Sequence, residues 1–133
     1  MQTGCKSYIL GEGNMLFVEY PKCSTCQKAK KWLQERNLEF EDRHIVEQNP
    51  SLEELRLWYK KSGLPLKRFF NTSGNKYKEL KLKDKLPGMT EEEQLQLLAT
   101  DGMLVKRPVL VGETFAVTGF KEKEWMEKLG LEE

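Results

Sequence analysis

Two cysteines, Cys23 and Cys26, stand three positions apart in the segment YPKCSTCQKAKKWL at residues 20–33. Cysteines at this spacing can bind a metal ion, cycle between dithiol and disulfide, or fill a core. Apolar residues follow at helical spacing, which predicts that the pair lies at the start of a helix. The free amides and the dipole of a first helical turn stabilise a thiolate, so we expect a lowered pKa for Cys23. Lys22 and Lys28 are expected to add a smaller, solvent-screened stabilisation.

The second cysteine of the pair, Cys26, would lie one turn deeper and within reach of a disulfide with Cys23. This arrangement predicts that Cys23 attacks a disulfide or another oxidised sulfur and that Cys26 resolves the mixed intermediate. The hydroxyls of Ser24 and Thr25 are candidates to cap the same turn.

A metal site is the first alternative, because Cys5, Cys23, Cys26 and His44 supply four candidate zinc ligands. Structural zinc sites usually contain two closely spaced ligand pairs, and this chain has one, so zinc is disfavoured. His44 has no histidine partner and is expected to be hydrogen-bonded or exposed rather than catalytic. Two buried cysteines without chemistry are the second alternative.

An odd cysteine count in a small, lysine-rich chain favours a cytoplasmic protein over a secreted disulfide scaffold.

A second group of residues that could do chemistry is Lys106-Arg107-Pro108, which precedes an apolar strand-like run. A proline is tolerated at the mouth of an interior strand only where its missing amide is not needed. If this strand adjoins the cysteine loop, a cis bond would press the Arg107 carbonyl and the Pro108 ring against the two sulfurs. Arg107 would then hold an anion or stabilise a thiolate. The alternative is a surface arginine beside an ordinary trans proline.

The composition of the 133 residues fits one folded domain with a heavily charged surface, at 38% hydrophobic and 32% charged residues. Lys plus Arg number 22 and Asp plus Glu 21, a balance that argues against direct nucleic-acid or membrane binding. No apolar run approaches the roughly 18 residues that a membrane span needs, and the first residues lack a secretory-signal pattern. Residues 1–14 are interpreted as an added extension, with Cys5 exposed and unimportant, and residues 15–131 as the domain.

The elements that would position these residues can be predicted from their patterns. A strand over 16–20, a helix ending near Asn37 and a strand over 38–46 form a unit whose strands should be parallel. A middle of broken helical segments follows, and capping boxes start two of them, at Ser51 to Glu54 and at Thr90 to Glu93. A hairpin of 108–111 with 114–118 and a helix over 121–129 complete the chain.

This order predicts an α/β fold: a four-stranded mixed sheet with flanking helices and an all-helical insertion, at about 50–103, between βαβ and ββα halves. That is the thioredoxin-like layout. The tryptophans fall on apolar helix faces and are predicted to be core residues rather than a base-stacking platform: Trp32, Trp58 and Trp125.

The chain also resembles the ArsC/Spx family, the glutaredoxin-coupled arsenate reductases and their relatives. The resemblance rests on YPKCSTCQKAKKWL, IVEQNPSLEEL, FFNTSGNKYKEL and LVKRPVLV, which occur in family order between residue 15 and about residue 131. It implies a thioredoxin-like core with a helical insertion and a domain that begins near Met15. Thiol chemistry of this kind needs no bound cofactor, and electrons are expected to come from glutathione, glutaredoxin or a thioredoxin-type partner.

The residues that the arsenate reductases use are matched unevenly. Their single cysteine before the first helix is matched by Cys23, and the arginine before their strand proline by Arg107. Ser73 occupies the place of a second oxyanion-binding arginine, and the segment 116–119 offers no third. Two missing cations are expected to weaken binding of a charged oxyanion. Cys26, where arsenate reductases often have serine, favours an internal disulfide instead.

Three functions are therefore compatible with the sequence. The leading one is a thiol-disulfide oxidoreductase with Cys23 as nucleophile, Cys26 as resolving thiol, and Arg107 and Pro108 shaping the site. The second is a redox-switched regulator, because Spx-type members carry the same cysteine spacing as a switch and regulate transcription by binding RNA polymerase. The third is an arsenate reductase proper.

Overall fold

The computed structural model describes residues 15–131, which form a mixed sheet with helices on both faces. The predicted extension at residues 1–14, with Cys5, lies outside this range. The strands are β1 (Leu16–Glu19), β2 (Glu41–His44), β3 (Val109–Val111) and β4 (Ala116–Thr118). The α-helices are α1 (Ser24–Glu35), α2 (Leu52–Ser62), α3 (Asn75–Glu79), α4 (Leu82–Lys85), α5 (Glu91–Leu98) and α6 (Glu122–Leu129). Short 3-10 turns occupy Leu66–Phe69, Leu86–Gly88 and Gly102–Leu104.

The strand order is β2-β1-β3-β4, with β1 parallel to β2 and antiparallel to β3, which in turn pairs antiparallel with β4. This is the thioredoxin-like sheet that the order of elements predicts, with the helical insertion between its two halves.

The second strand is shorter than predicted. Leu38 donates its amide to the Leu33 carbonyl at 3.1 Å, and Phe40 packs edge-on against Phe17 at 5.4 Å. The alternation at 38–40 therefore reflects core packing, not strand pairing.

The two faces of the sheet bury two separate apolar clusters, because successive strand residues point to opposite sides. Phe17, Leu110 and Val117 face α1 and α6, where the tryptophans Trp32 and Trp125 lie in the same cluster. The neighbouring strand residues Val18, Val109, Val111 and Ala116 face the helical insertion. Trp58 belongs to that second cluster, so all three tryptophans are core residues as predicted.

The helical insertion is stabilised by capping of two of its helices and by contacts with the segment that leads into β3. Ser51 and Glu54 form the predicted capping box at α2, and Thr90 and Glu93 form the one at α5. The Asn71 amide donates to the Leu104 carbonyl at 2.8 Å, and residues 70 and 105 form an isolated antiparallel bridge. These contacts hold one wall of the insertion against the mouth of β3. Within residues 15–131, no helix is both long and apolar enough to cross a bilayer.

Candidate active site

The sulfur of Cys23 caps the first helix. The Cys23 amide donates to the Tyr20 carbonyl at 2.9 Å, and this turn leads from β1 into α1. The Cys23 backbone is extended, with φ −90° and ψ 119°, and its Sγ accepts a hydrogen bond from the Cys26 amide at 3.4 Å. The cap is thus the Cys23 sulfur itself, and not the hydroxyls of Ser24 and Thr25 proposed from sequence.

The two thiols differ sharply in their ease of ionisation. Burial opposes ionisation of Cys23, but hydrogen bonds from the backbone and side chain of Cys26, together with Arg107, outweigh it and lower the pKa of Cys23. Cys26 is fully buried, and this burial together with the neighbouring Cys23 sulfur raises the pKa of Cys26 to about 12. Cys23 is partly exposed, so the more readily ionised sulfur is accessible from solvent and the less readily ionised sulfur lies beneath it.

Arg107 reaches this site from the far end of the sequence. The Arg107–Pro108 peptide bond is cis, as the sequence analysis considered. The Arg107 guanidinium carbon lies 4.9 Å from the centre of the Tyr20 ring, and its Nη1 lies 4.0 Å from the Met103 sulfur. The positive charge of Arg107 favours the ionised form of Cys23 and so helps to lower the pKa of Cys23. The cation that acts on the thiolate is therefore Arg107, whereas Lys22 and Lys28 are exposed on the surface.

A cleft of about 680 Å³ opens beside Cys23. Five basic side chains line it, and none of its lining residues is acidic. They come from three separate parts of the chain: the turn after α2, the mouth of β3 and the start of α6. They are Lys67, Arg68, Lys106, Arg107 and Lys121.

The cleft changes the expectation that this site is poor in positive charge. Ser73 does line the cleft, as its proposed position requires, and no arginine occurs at 116–119. However, Lys106 and Lys121 supply charge from other positions. Arg68 contributes less, because its Nη2 lies 3.2 Å from the Glu124 carboxylate. Sequence reasoning missed these cations because the chain is lysine-rich throughout, and only the fold distinguishes the lysines that line a cleft.

A buried carboxylate beneath the cysteine helix was also missed. Glu19 ends β1 and is 3% exposed. It accepts a hydrogen bond from Gln27 at 3.0 Å and lies 3.5 Å from the Lys30 ammonium. Burial, together with Asp42, raises the pKa of Glu19 to about 7. Its charge is also one of the causes that raise the pKa of Cys26. A lone acidic residue in an apolar strand was the only sequence signal for it.

His44 is hydrogen-bonded through its ring, as predicted for a non-catalytic histidine. Its Nδ1 accepts from the amides of Val46 and Glu47, at 3.1 and 3.2 Å. Between residues 15 and 131, no group of three or more His, Cys, Asp or Glu side chains is arranged to hold a metal ion. The zinc alternative had also used Cys5, which lies outside the described residues.

The fold and the site together define a thioredoxin-like protein with a cysteine pair at the head of its first helix and a basic cleft beside the outer sulfur. The chain belongs to the ArsC family, whose family model matches residues 18–128.

Three relatives illustrate the range of this family. A solved structure of an ArsC family related protein from Bacteroides fragilis is 64% identical, with a TM-score of 0.84 over 86% of this chain and 96% of that one. The protein YusI of Bacillus subtilis (strain 168) is 57% identical over 86% of this chain and 97% of its own length. The regulatory protein MgsR of the same organism is 32% identical over 85% of this chain and 88% of its own.

Proposed function

We propose that the chain is a thiol-disulfide oxidoreductase in which Cys23 is the nucleophile and Cys26 the resolving thiol. The observation that carries this proposal is the asymmetry of the pair. The Cys23 sulfur is partly exposed, accepts the Cys26 amide at 3.4 Å and has a lowered pKa, whereas Cys26 is sealed beneath it. An exposed thiolate over a protected thiol is the arrangement that thiol-disulfide exchange needs.

The reaction proceeds in two exchanges. The Cys23 thiolate attacks one sulfur of the substrate disulfide, the substrate S–S bond breaks, and the other half leaves as a thiolate. Cys26 then loses its proton and attacks the Cys23 sulfur, which releases the second half of the substrate as a thiol. Two electrons pass from the protein dithiol to the substrate, and a Cys23–Cys26 disulfide is left.

The high pKa of Cys26 is compatible with its role as the resolving thiol. The charge and hydrogen bond of Cys23 are among the causes that raise it. Once Cys23 enters a mixed disulfide, its negative charge is gone and these two causes disappear. The pKa of Cys26 therefore falls at the stage when its thiolate is required.

The disulfide form must be reduced again by an external thiol, because this chemistry uses no bound cofactor. We propose a glutaredoxin- or thioredoxin-type protein or glutathione as the donor. We also propose that the chain works in the cytoplasm, where thiol pools keep such pairs reduced between turnovers.

Mass spectrometry of alkylated protein before and after mild oxidation tests this function. The wild type should lose two alkylation sites and two hydrogen masses as the pair closes, and Cys23→Ser and Cys26→Ser should not close it. Cys26→Ser should instead retain one half of an added disulfide on Cys23. A wild-type protein whose two thiols both stay free in excess disulfide would contradict the proposal.

A second candidate function is a redox-switched transcriptional regulator that binds RNA polymerase. The similarity to MgsR, a regulatory protein, favours keeping it. Reduced and oxidised forms of the chain would be immobilised and incubated with purified polymerase. Retention of polymerase by one redox form would support the regulator, and retention by neither would remove it.

A third candidate, an arsenate reductase, is favoured by the basic cleft beside Cys23. The assay couples arsenate reduction to glutathione and glutaredoxin. Turnover that depends on arsenate and is lost in Cys23→Ser would support it, and no turnover above the blank would reject it.

A further inference from the structure

Positive charge is concentrated at the cleft far beyond the average of the chain. The whole sequence carries a formal charge of only +1, yet five basic side chains and no acidic one line the cleft. Among the five, only Arg68 has a carboxylate within 4.0 Å in the described part of the chain. The other four line the same cleft as Cys23 with no described carboxylate within that distance: Lys67, Lys106, Arg107 and Lys121. Such a cleft attracts and retains anions.

Lys106 and Lys121 line this cleft from two separate segments of well-fixed backbone. The Lys106 amide donates to the Phe69 carbonyl at 2.9 Å, and the Lys106 stem runs past Gly119, where a β-carbon would lie 3.2 Å from Lys106 Cε. Lys121 occupies the N-cap position of α6 without a side-chain capping bond. It follows Gly119 by two residues, and the Gly119 carbonyl accepts a hydrogen bond from the buried Trp125 indole at 3.0 Å. Both lysines therefore lie beside Gly119, Lys106 through its side-chain stem and Lys121 two residues further along the chain.

We infer that the substrates of this site are small organic disulfides that carry carboxylates, with Lys106 and Lys121 binding the carboxylates while the disulfide lies against Cys23. The inference rests on the proposed function and specifies its substrate class. Its basis is the juxtaposition of a partly exposed thiolate with separate, uncompensated ammonium groups in one cleft.

The kind of cation distinguishes this class of ligand from a compact oxyanion. A tetrahedral oxyanion is best held by converging guanidinium groups, which donate in bidentate pairs. Here Arg68 is already engaged with Glu124, which leaves Arg107 as the unpaired guanidinium of the cleft, and the other charges are lysines. Single ammonium groups that line a cleft of about 680 Å³ suit the carboxylates of an extended molecule. Phe120 and Pro65 offer apolar wall for its methylene groups.

The proposed exchange balances without a further reactant. The Cys23 thiolate forms a bond to the nearer substrate sulfur, and the farther half departs as a carboxylate-bearing thiolate that takes a proton from solvent. Cys26 then displaces the nearer half in the same way. One disulfide is reduced to two thiols, and the protein dithiol is oxidised to a disulfide.

The test uses a charge series of disulfides of similar size. Dithiodipropionate is anionic, bis-hydroxyethyl disulfide is neutral and cystamine is cationic. The reduced full-length protein, freed of reductant, is mixed with each in single-turnover experiments, and each second-order rate constant is divided by that of mercaptoethanol with the same disulfide. The wild type should favour the anionic over the neutral probe by about tenfold and the neutral over the cationic. This preference should shrink as salt rises to about 0.5 M, where charges are screened within a few ångströms.

Two variants and a matched control assign the preference to the cleft. Lys106→Gln and Lys121→Gln should each lower the ratio of anionic to neutral rate constants about threefold, and the double variant about tenfold, the size expected for partly exposed charges. Lys123→Gln removes the same charge two residues beyond Lys121, in the first turn of α6, but Lys123 does not line the cleft. It should leave the ratio unchanged.

The outcomes separate this inference from the function on which it rests. If the wild type reduces the neutral probe but shows no anionic preference and no salt dependence, the substrate class is wrong and the oxidoreductase stands. If the wild type reduces none of the three probes, both fail. Sulfate that competes with the anionic probe as well as succinate does would indicate a compact oxyanion site and overturn the inference. The wild-type measurements decide this even if a variant folds poorly.

Discussion

The Cys26 amide nitrogen lies 3.4 Å from the Cys23 sulfur, so the residue that carries the second thiol also stabilises the first thiolate. A single helical turn thereby supplies both the activation of the nucleophile and its resolving partner. The same closeness makes each sulfur sensitive to the charge of the other, since each appears among the causes that shift the other's pKa.

Removal of the Arg107 charge should make Cys23 harder to ionise. Arg107 is one of the causes that lower the pKa of Cys23, so Arg107→Gln is expected to raise that pKa. Ultraviolet thiolate absorbance followed against pH measures the shift. Lys22→Gln is the control, because Lys22 precedes Cys23 in sequence but is exposed. An equal effect of the two variants would show that charge near the loop, and not the Arg107 contact, controls the thiolate.

Removal of the Cys23 thiol should make Cys26 easier to ionise. Burial is the largest cause of the raised pKa of Cys26, and the Cys23 hydrogen bond and charge add to it. In Cys23→Ser the pKa of Cys26 should therefore fall below about 12 but stay above that of a free thiol, because the burial persists. The rate of alkylation of Cys26, followed against pH, measures this pKa. An unchanged profile would mean that the two thiols do not interact.

The stability of the fold should depend on pH through Glu19. Its pKa is raised to about 7, so folded Glu19 keeps a proton that the unfolded chain releases between about pH 4.5 and 7. Its contribution to the free energy of unfolding is therefore present below that window and is lost as pH rises through it. The side chain of Glu19→Gln does not titrate. As pH rises from 5 to 8, the free energy of unfolding of this variant should therefore increase relative to that of the wild type, by roughly 1–3 kcal/mol.

Urea unfolding at the two pH values measures this difference. Glu47→Gln, an exposed acid-to-amide change, is the matched control and should show little pH dependence relative to wild type. A Glu19→Gln curve that stays parallel to wild type from pH 5 to pH 8 would mean that Glu19 is ionised throughout.

A side chain at Gly119 should destabilise the fold. Its φ is +75°, a conformation that costs an ordinary residue about 1 kcal/mol, and a β-carbon would also crowd Lys106 Cε at 3.2 Å. Gly119→Ala is therefore expected to lower the free energy of unfolding by about 1–2 kcal/mol. Gly88→Ala, with nothing within 4 Å of the added carbon and no positive φ, should be close to neutral. Equal losses in both variants, measured by urea unfolding, would contradict this account.

Most of the fold was predictable because its signals are local. Helical spacing placed α1 and α6, and the capping boxes at Ser51 and Thr90 placed two starts within the insertion. The second strand was predicted too long. Alternation at residues 38–46 predicted one continuous strand, whereas only Glu41–His44 pairs with β1. Leu38 and Phe40 alternate because they reach into the core beneath α1, and a pattern of burial alone does not distinguish that packing from strand pairing.

The order of residues alone indicated the cysteine pair, the helix that begins with it and the Arg107–Pro108 element, because each is a short-range pattern with a direct physical cause. Tertiary structure decided which charges act on the thiolate and which carboxylate lies beneath it. Lys106, Lys121 and Arg68 are ordinary basic residues along the chain, and they share a cleft only because β3, α6 and the insertion converge there. Electrostatic effects depend on distance and burial in space, and neither is encoded in the separation of residues along the sequence.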